Sequence, residues 1–263
     1  MTALTSPASP RPREYDADAL DQLVASGLLV DADTLLPLLP ADEGARGGVA
    51  AVAAQDGDGT PGRLRARQDT VVEVTSCGGP EARTLREHVV ALLRACGLQE
   101  LRPTPPARRR AGSAPQEEAR LGLLVCVGEP VREELDRWMR VGLPHLLLRL
   151  VEGHAVIGPF VLPGETACLR CLDAHHTDVD PCWPLLVAQY ASAVARNRED
   201  TVPEPVDPLL AALGAAWAAR EVVSHVEGRR VSTTSATIRL DPHLTALETR
   251  AWPRHPECGC SWA

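Results

Sequence analysis

Two close pairs of cysteines constrain this chain more than any other feature of its sequence. Cys168 and Cys171 are separated by two residues, and Cys258 and Cys260 by one residue. Each pair places two thiols on a tight turn, so two such turns can surround a Zn²⁺ ion with four sulfurs. Four thiolates leave no open coordination position, which indicates a structural metal rather than one that activates water. Reduced buried thiols, or a disulfide in a secreted chain, are the alternatives.

Composition restricts the cellular compartment and the classes of partner that this chain can have. The first residues lack the apolar core of a signal peptide, and no apolar run is long enough to span a membrane. We therefore expect a cytoplasmic protein whose eight cysteines are four metal ligands and four free thiols. The net charge of −8 argues against a nucleic-acid partner. The chain contains no lysine, which excludes a Walker-type phosphate loop and Schiff-base chemistry.

Residue patterns divide the chain into an N-terminal part and an α/β domain. Residues 1–14 are rich in Pro, Ser and Thr, which predicts disorder. An amphipathic helix is predicted over 16–26, and the Gly, Asp and Ala of 41–68 indicate a linker. From residue 70 onward the periodicity alternates between strands and helices. The predicted strands are 71–74, 121–127, 145–151, 155–161, 237–240 and 247–251, and the predicted helices are 80–96, 133–140 and 208–228.

The order of these elements resembles the ThiF family, which has the fold of ubiquitin-activating adenylating proteins. In that family a Gly-Pro strand leads into a zinc Cys-x-x-Cys, an alanine-rich helix follows, and a second cysteine pair completes the site. Residues 158–172, 207–228 and 256–262 match these three parts in order. The resemblance implies a Rossmann-like domain over 70–263, with zinc holding its C-terminal half together.

A narrower resemblance rests on the run from His175 to Pro184, His-x-x-Asp-x-Asp-Pro-x-Trp-Pro. It is similar to ThiF-like partner proteins that serve azole-containing peptide biosynthesis, including the bacteriocin and thiopeptide (TOMM) systems. Such proteins bind the leader of a ribosomal precursor peptide and work with a YcaO-type cyclodehydratase. They usually carry an N-terminal winged-helix domain that binds the leader. Residues 15–68 would hold a truncated remnant of that domain plus the linker.

The first strand-to-helix turn departs from the adenylating pattern. An adenylating member should show Gly-x-Gly-x-x-Gly there, so that backbone amides can bind phosphates. Here the turn is Ser-Cys-Gly-Gly-Pro-Glu over 76–81, with glycines in another register, a proline and an acidic residue. We therefore expect a degenerate domain that does not bind ATP.

Several other residues have two interpretations each. His175 and His176 could replace a cysteine on zinc, or could cap a helix and hydrogen-bond Asp178 or Asp180. The two aspartates could act as general acid and base, or could form a turn network or a surface for the partner enzyme. Trp183 suits either an interface anchor or the core. These five residues are candidates for a partner interface, beside the other roles given for each.

The favoured function is a non-catalytic scaffold, an accessory subunit rather than an enzyme by itself. It would bind the precursor peptide and present it to the cyclodehydratase, which forms thiazoline and oxazoline rings. The alternatives are an adenylating enzyme with a divergent nucleotide site, or a purely structural subunit of the cyclodehydratase. A membrane partner is not expected, and the chain could form a homodimer.

Overall fold

The computed structural model describes residues 16–26, 28–29, 32–40, 43–101, 120–195 and 204–262. These belong to two compact units, which divide between Leu64 and Arg65. The disorder predicted for residues 1–14 lies outside the described residues. Among the described residues, no helix is both long and apolar enough to cross a membrane.

The described part of the first unit is helical. Its helices are α1 (Ala17–Ala25), α2 (Ala32–Leu35), α3 (Glu43–Asp56) and α4 (Thr60–Gln68), the last of which ends in the second unit. The segment 41–68, predicted as a linker, is thus helical from residue 43 onward. Alanines have the highest helix propensity and offset the glycines of α3, and that helix buries Val52 and Ala53. No strand occurs among the described residues of this unit, so the winged-helix remnant remains a prediction.

The second unit is built on one mixed sheet of seven strands. They are ordered β2-β1-β3-β4-β5-β6-β7, with β2, β1, β3 and β4 parallel and the remaining pairs antiparallel. The strands are β1 (Val71–Cys77), β2 (Gln99–Leu101), β3 (Leu121–Val127), β4 (His145–Val151), β5 (His154–Val161), β6 (Ala236–Leu240) and β7 (Leu247–Ala251). The helices are α5 (Gly79–Ala95), α6 (Glu133–Arg140), α7 (Leu169–Val179), α8 (Trp183–Ala195) and α9 (Pro208–Val226). The predicted α/β class and all six predicted strands are confirmed, whereas β2 was missed.

The two faces of the sheet carry different packing. On one face, which we call the α9 face, α5 and α9 cover β1, β3, β4 and β5 with an aliphatic core. On the opposite face, which we call the α7 face, a second cluster joins Leu124 and Leu147 to Trp138, Trp252 and the four predicted metal ligands. β3 contributes Leu123 to the first face and Leu124 to the second, and every residue of that strand is buried, which agrees with its continuous apolar run.

The Gly-Pro strand has a steric basis. Gly158 has φ +101°, and a Cβ there would lie 2.4 Å from the carbonyl oxygen of Ala236 on β6. Only glycine permits this backbone conformation and this close approach. The glycine therefore lets β5 pack beside β6, immediately before the chain continues to the first cysteine pair.

One expectation about the cysteines is wrong. Cys77 and Cys126 form a disulfide, so the four cysteines outside the metal group are not all free. The parallel register of β1 and β3 places the two residues side by side, with a Cα–Cα distance of 4.8 Å. Cys126 is buried, and the disulfide leaves neither residue with a free thiol.

Candidate metal centre and adjoining cavity

The four predicted metal ligands converge on the α7 face. Cys168 is the N-cap of α7 and Cys171 lies in its first turn. Cys258 follows a turn at residues 256–257, and Cys260 lies in the short 3-10 helix Gly259–Trp262. All four side chains are buried. The Sγ atom of Cys168 lies 3.8 Å from that of Cys171 and 3.7 Å from that of Cys258, and the Sγ atoms of Cys171 and Cys260 are 3.4 Å apart.

These distances fit a tetrahedral metal site. Zn–S bonds of about 2.3 Å place the sulfurs of a tetrahedron roughly 3.8 Å apart. The measured separations match or lie slightly below that value, and the ligand atoms of all four residues are within 4.8 Å of one another. A buried four-cysteine group of this size can hold a metal ion such as zinc.

Three of the four thiols have pKa values shifted by burial and by hydrogen bonds between the sulfurs. The hydrogen bond from Cys168 lowers the pKa of the Cys171 thiol to about 4, and the same interaction raises the pKa of Cys168. Burial raises the pKa of the Cys260 thiol to about 11. Four adjacent thiolates would repel one another in a buried site, so full deprotonation requires a cation among them.

A second cluster, His175, Asp178 and His255, lies near the cysteines. Its ligand atoms are also within 4.8 Å of one another, yet hydrogen bonds already occupy them. His175 Nε2 is 2.9 Å from the Pro253 carbonyl oxygen, and His255 Nε2 is 3.0 Å from Asp178 Oδ2. The backbone N–H of Glu257 donates to His255 Nδ1 at 3.2 Å, which leaves the proton of a neutral ring on Nε2. We interpret the cluster as a hydrogen-bonded connection between α7 and the C-terminal segment.

The other predicted interface residues have distinct surroundings. Asp180 is exposed and accepts the backbone N–H of Cys182 at 2.9 Å, which shapes the turn between α7 and α8. The ring of His176 stacks on Trp183 at 4.4 Å and lies 5.1 Å from the ring of Trp252. Burial lowers the pKa of His176 below its usual value, which favours a neutral ring at pH 7. His176 and Trp183 thus face a cavity, whereas Asp178 and Asp180 lie at the surface.

That cavity has a volume of about 570 Å³ and lies on the α7 face of the sheet. Its apolar walls are formed by residues of α7, α8 and the segment after β7. They are Leu169, Leu172, Trp183, Leu186, Val187 and Trp252.

A charged network lines one side of the cavity, and sequence reasoning did not identify it. Arg132 donates from two nitrogens to the carboxylate of Asp173, each at 2.7 Å, and a third nitrogen reaches Glu129 at 2.8 Å. Arg149 also donates to Glu129, and the Trp183 indole N–H donates to Asp173 at 3.1 Å. Burial alone would raise the pKa of Asp173, but the hydrogen bonds and charge of Arg132 lower it below the usual value. Both carboxylates are therefore neutralised by arginines.

The strand-to-helix turn at residues 76–81 is separate from this cavity and lines neither it nor a smaller one of about 300 Å³ beside Cys168 and Cys260. Gly78 has φ +104°, and a Cβ there would lie 2.1 Å from the carbonyl oxygen of Val127. The turn therefore packs directly against the end of β3. Pro80 and Glu81 occupy the first turn of α5, where an adenylating protein needs free N–H groups and no negative charge.

No family model and no curated protein matches the sequence. Among solved structures, the heterocyclase TruD aligns with a TM-score of 0.63 and 19% identity, over 93% of this chain and 33% of its own. A heterocyclase in complex with substrate and cofactor aligns with a TM-score of 0.61 and 17% identity, over 93% of this chain and 31% of its own. E. coli MccB with MccA aligns with a TM-score of 0.61 and 12% identity, over 94% of this chain and 81% of its own.

At these identities the alignments show a shared fold. The mixed α/β sheet is therefore the fold of MccB and of one part of the heterocyclases. The chain spans about a third of the length of the two heterocyclases that it matches.

Proposed function

We propose that this chain is a non-catalytic scaffold that binds a ribosomal precursor peptide and presents it to a YcaO-type, ATP-dependent cyclodehydratase. The enzyme would form thiazoline and oxazoline rings from Cys, Ser and Thr residues of the precursor. The observation that carries the proposal is the partial match to TruD: nearly the whole chain aligns with about a third of that heterocyclase. In this proposal a separate polypeptide supplies the catalytic remainder.

The surroundings of the residues that could act in catalysis support a non-catalytic role. The buried Glu129 and the partly buried Asp173, both beside the cavity, are held in ion pairs with arginines. The turn at residues 76–81 carries Pro80 and Glu81 at the helix N-terminus. Binding and positioning can still accelerate a reaction, because a tethered peptide has a high effective concentration near the enzyme.

The metal that we propose for the four-cysteine group is zinc. It would supply charge neutralisation and four bonds between α7 and the C-terminal turn, so that two segments distant in sequence hold one surface together. No catalytic step passes through it in this proposal.

Reconstitution tests the scaffold proposal. The cyclodehydratase encoded near this chain should hydrolyse ATP alone, yet process the precursor efficiently only when this chain is added. Removing the leader from the precursor should abolish the stimulation, whereas Glu81→Gln should leave it unchanged.

The alternative in the enzyme class is an adenylating protein, and the fold shared with MccB keeps it testable; one solved structure of MccB contains ATP. ATP–pyrophosphate exchange by the isolated chain would overturn the scaffold proposal. Stimulation that persists without the leader would favour a purely structural subunit.

A further inference from the structure

The last strand of the sheet, β7, presents an open edge. β7 pairs with β6 along one side, from Leu240 opposite Leu247 to Ala236 opposite Ala251, and no described strand pairs with its other side. All five residues of β7 are exposed. Proteins commonly protect such edges with prolines or bulges, but β7 contains no proline and its register with β6 is unbroken. Backbone N–H and C=O groups along the outer side can therefore pair with an added strand.

One face of β7 belongs to the 570 Å³ cavity. Glu248 and Arg250 line the cavity, as do the residues opposite them on β6, Arg239 and Thr237. Successive side chains of a strand point to opposite faces, so a strand added beside β7 would direct every second side chain toward this cavity.

Arg250 is positioned to bind an anion. Its guanidinium lies 3.8 Å from the centre of the Trp252 ring, and the Trp252 indole N–H donates to Thr237 Oγ1 at 2.9 Å, which fixes the ring. Arg132 is paired with Glu129 and Asp173, and Arg149 is paired with Glu129. Arg239 has Glu248 at 3.9 Å. Arg250 takes part in none of the ion pairs found among the described residues. A stacked guanidinium with free donors is well suited to a carboxylate.

The apolar part of the cavity lies next to this cation. Trp252 is buried beneath Arg250, and the stacked rings of His176 and Trp183 continue the aromatic wall. The volume falls within the range of pockets that take a ligand side chain or small molecule. An anionic group at Arg250 and an apolar group in the cavity can thus be held by neighbouring positions on one face of a strand.

We propose that the leader of the precursor peptide adds to the β7 edge as an eighth strand of the sheet. An acidic side chain of the leader pairs with Arg250, and an apolar side chain two positions away enters the cavity beside Trp183 and Trp252. This inference rests on the proposed scaffold function and assigns it a binding site and a ligand pattern, acidic-x-apolar in an extended segment.

Binding by two charge-reversed variants tests the site. The probe is a fluorescein-labelled synthetic leader of the precursor encoded beside this chain, titrated against the full chain by fluorescence anisotropy. Arg250→Glu should weaken binding by about tenfold or more, because a charged hydrogen bond is lost and a repulsion gained. Arg83→Glu, an exposed arginine of α5 on the α9 face, is the matched control and should bind like the original chain. Replacing the acidic leader residue by lysine should restore binding to Arg250→Glu.

Hydrogen exchange tests the added strand itself. Amides of residues 247–251 should exchange more slowly when the leader is bound, with little change elsewhere at the sheet edge. If Arg250→Glu bound the leader as tightly as the original chain does, and the β7 amides gained no protection from exchange, the proposed site would be overturned. The scaffold function would remain intact. Absence of leader binding, with and without the cyclodehydratase, would overturn the scaffold function and this site together. Protection of β7 that rises with protein concentration and needs no leader would instead assign the edge to a second copy of this chain.

Discussion

The two faces of the sheet are packed by different kinds of residue. The α9 face is aliphatic, with alanines and Gly214 of α9 against Leu148 and Ala155. The α7 face holds four cysteines, a buried charged network and a cavity lined by tryptophans. Aliphatic packing is insensitive to pH and metal, whereas metal-binding thiolates respond to both. We therefore expect the α9 face to contribute stability through its aliphatic core, and the α7 face to contribute both metal-dependent stability and a surface that can bind.

The largest expected effect is loss of the metal group from the α7 face. Cys168→Ser removes one of four ligands, and structural zinc contributes an apparent binding free energy of about 10–16 kcal/mol in small zinc-binding peptides. That figure is comparable with the whole stability of a domain, so we expect the variant to lose its metal and to unfold at much lower denaturant concentration. Metal analysis and urea unfolding measure both effects.

Cys182→Ser provides the matched control, because Cys182 is a free and exposed cysteine outside the cluster. It should keep one zinc per chain and its unfolding midpoint. Folded Cys168→Ser protein without metal and with unchanged stability would show that the α7 face does not depend on the ion.

The second effect concerns the buried ion pairs. Arg132→Met leaves Asp173 and Glu129 with less positive charge nearby, and removing one partner of a buried pair costs about 3–5 kcal/mol. Arg170→Met breaks an arginine–aspartate pair that is half exposed, with Asp136, and exposed pairs contribute about 0–1 kcal/mol. Urea unfolding of the two variants compares the loss of an arginine–carboxylate pair at a buried position and at a half-exposed position. Equal losses would mean that the network at the cavity adds no stability of its own.

The third effect is a pH dependence that arises at His145, on the α7 face of the sheet. His145 is buried, and burial lowers its pKa from 6.5 to about 4. The unfolded state therefore binds the proton more readily, so the contribution of His145 is complete above pH 6.5 and is lost as the pH falls toward 4. The loss at pH 4 should approach about 3 kcal/mol.

His145→Asn is the control for this prediction. Asparagine can keep the donor that Nδ1 provides to the Leu143 carbonyl, at 2.9 Å in the original chain, but does not titrate. The unfolding free energy of the variant should fall less steeply between pH 6.5 and 4. Acid loss of metal affects both proteins, so identical slopes would remove His145 as the source.

What the sequence predicts well is local. The run Leu121–Val127 is a strand buried on both faces, and Glu133–Arg140 is a helix with the predicted bounds. The four cysteines were found from their spacing alone, because a metal requires close pairs. Helices in residues 43–68 were missed, since glycines and weak periodicity concealed them.

What the sequence does not predict depends on which elements become neighbours. The Cys77–Cys126 disulfide follows from the pairing of β1 with β3, and nothing near either cysteine indicates that pairing. Arg132 and Asp173 likewise meet through the arrangement of α6 and α7. A polar residue just after a buried strand, as Glu129 is, was the one local signal that could have pointed to the cavity.

The smallest effect is on the α9 face, where a helix cap can be removed without touching metal or cavity. Asp207, the N-cap of α9, accepts the backbone N–H groups of Leu209 and Leu210 at 2.9 and 2.8 Å. Asp207→Ala should cost about 1 kcal/mol, and Asp207→Asn, which also caps well, much less. Urea unfolding should show this order while metal content and leader binding stay unchanged. If Asp207→Ala also reduced leader binding, the separation between the two faces would fail, because a change confined to the α9 face would have reached the cavity.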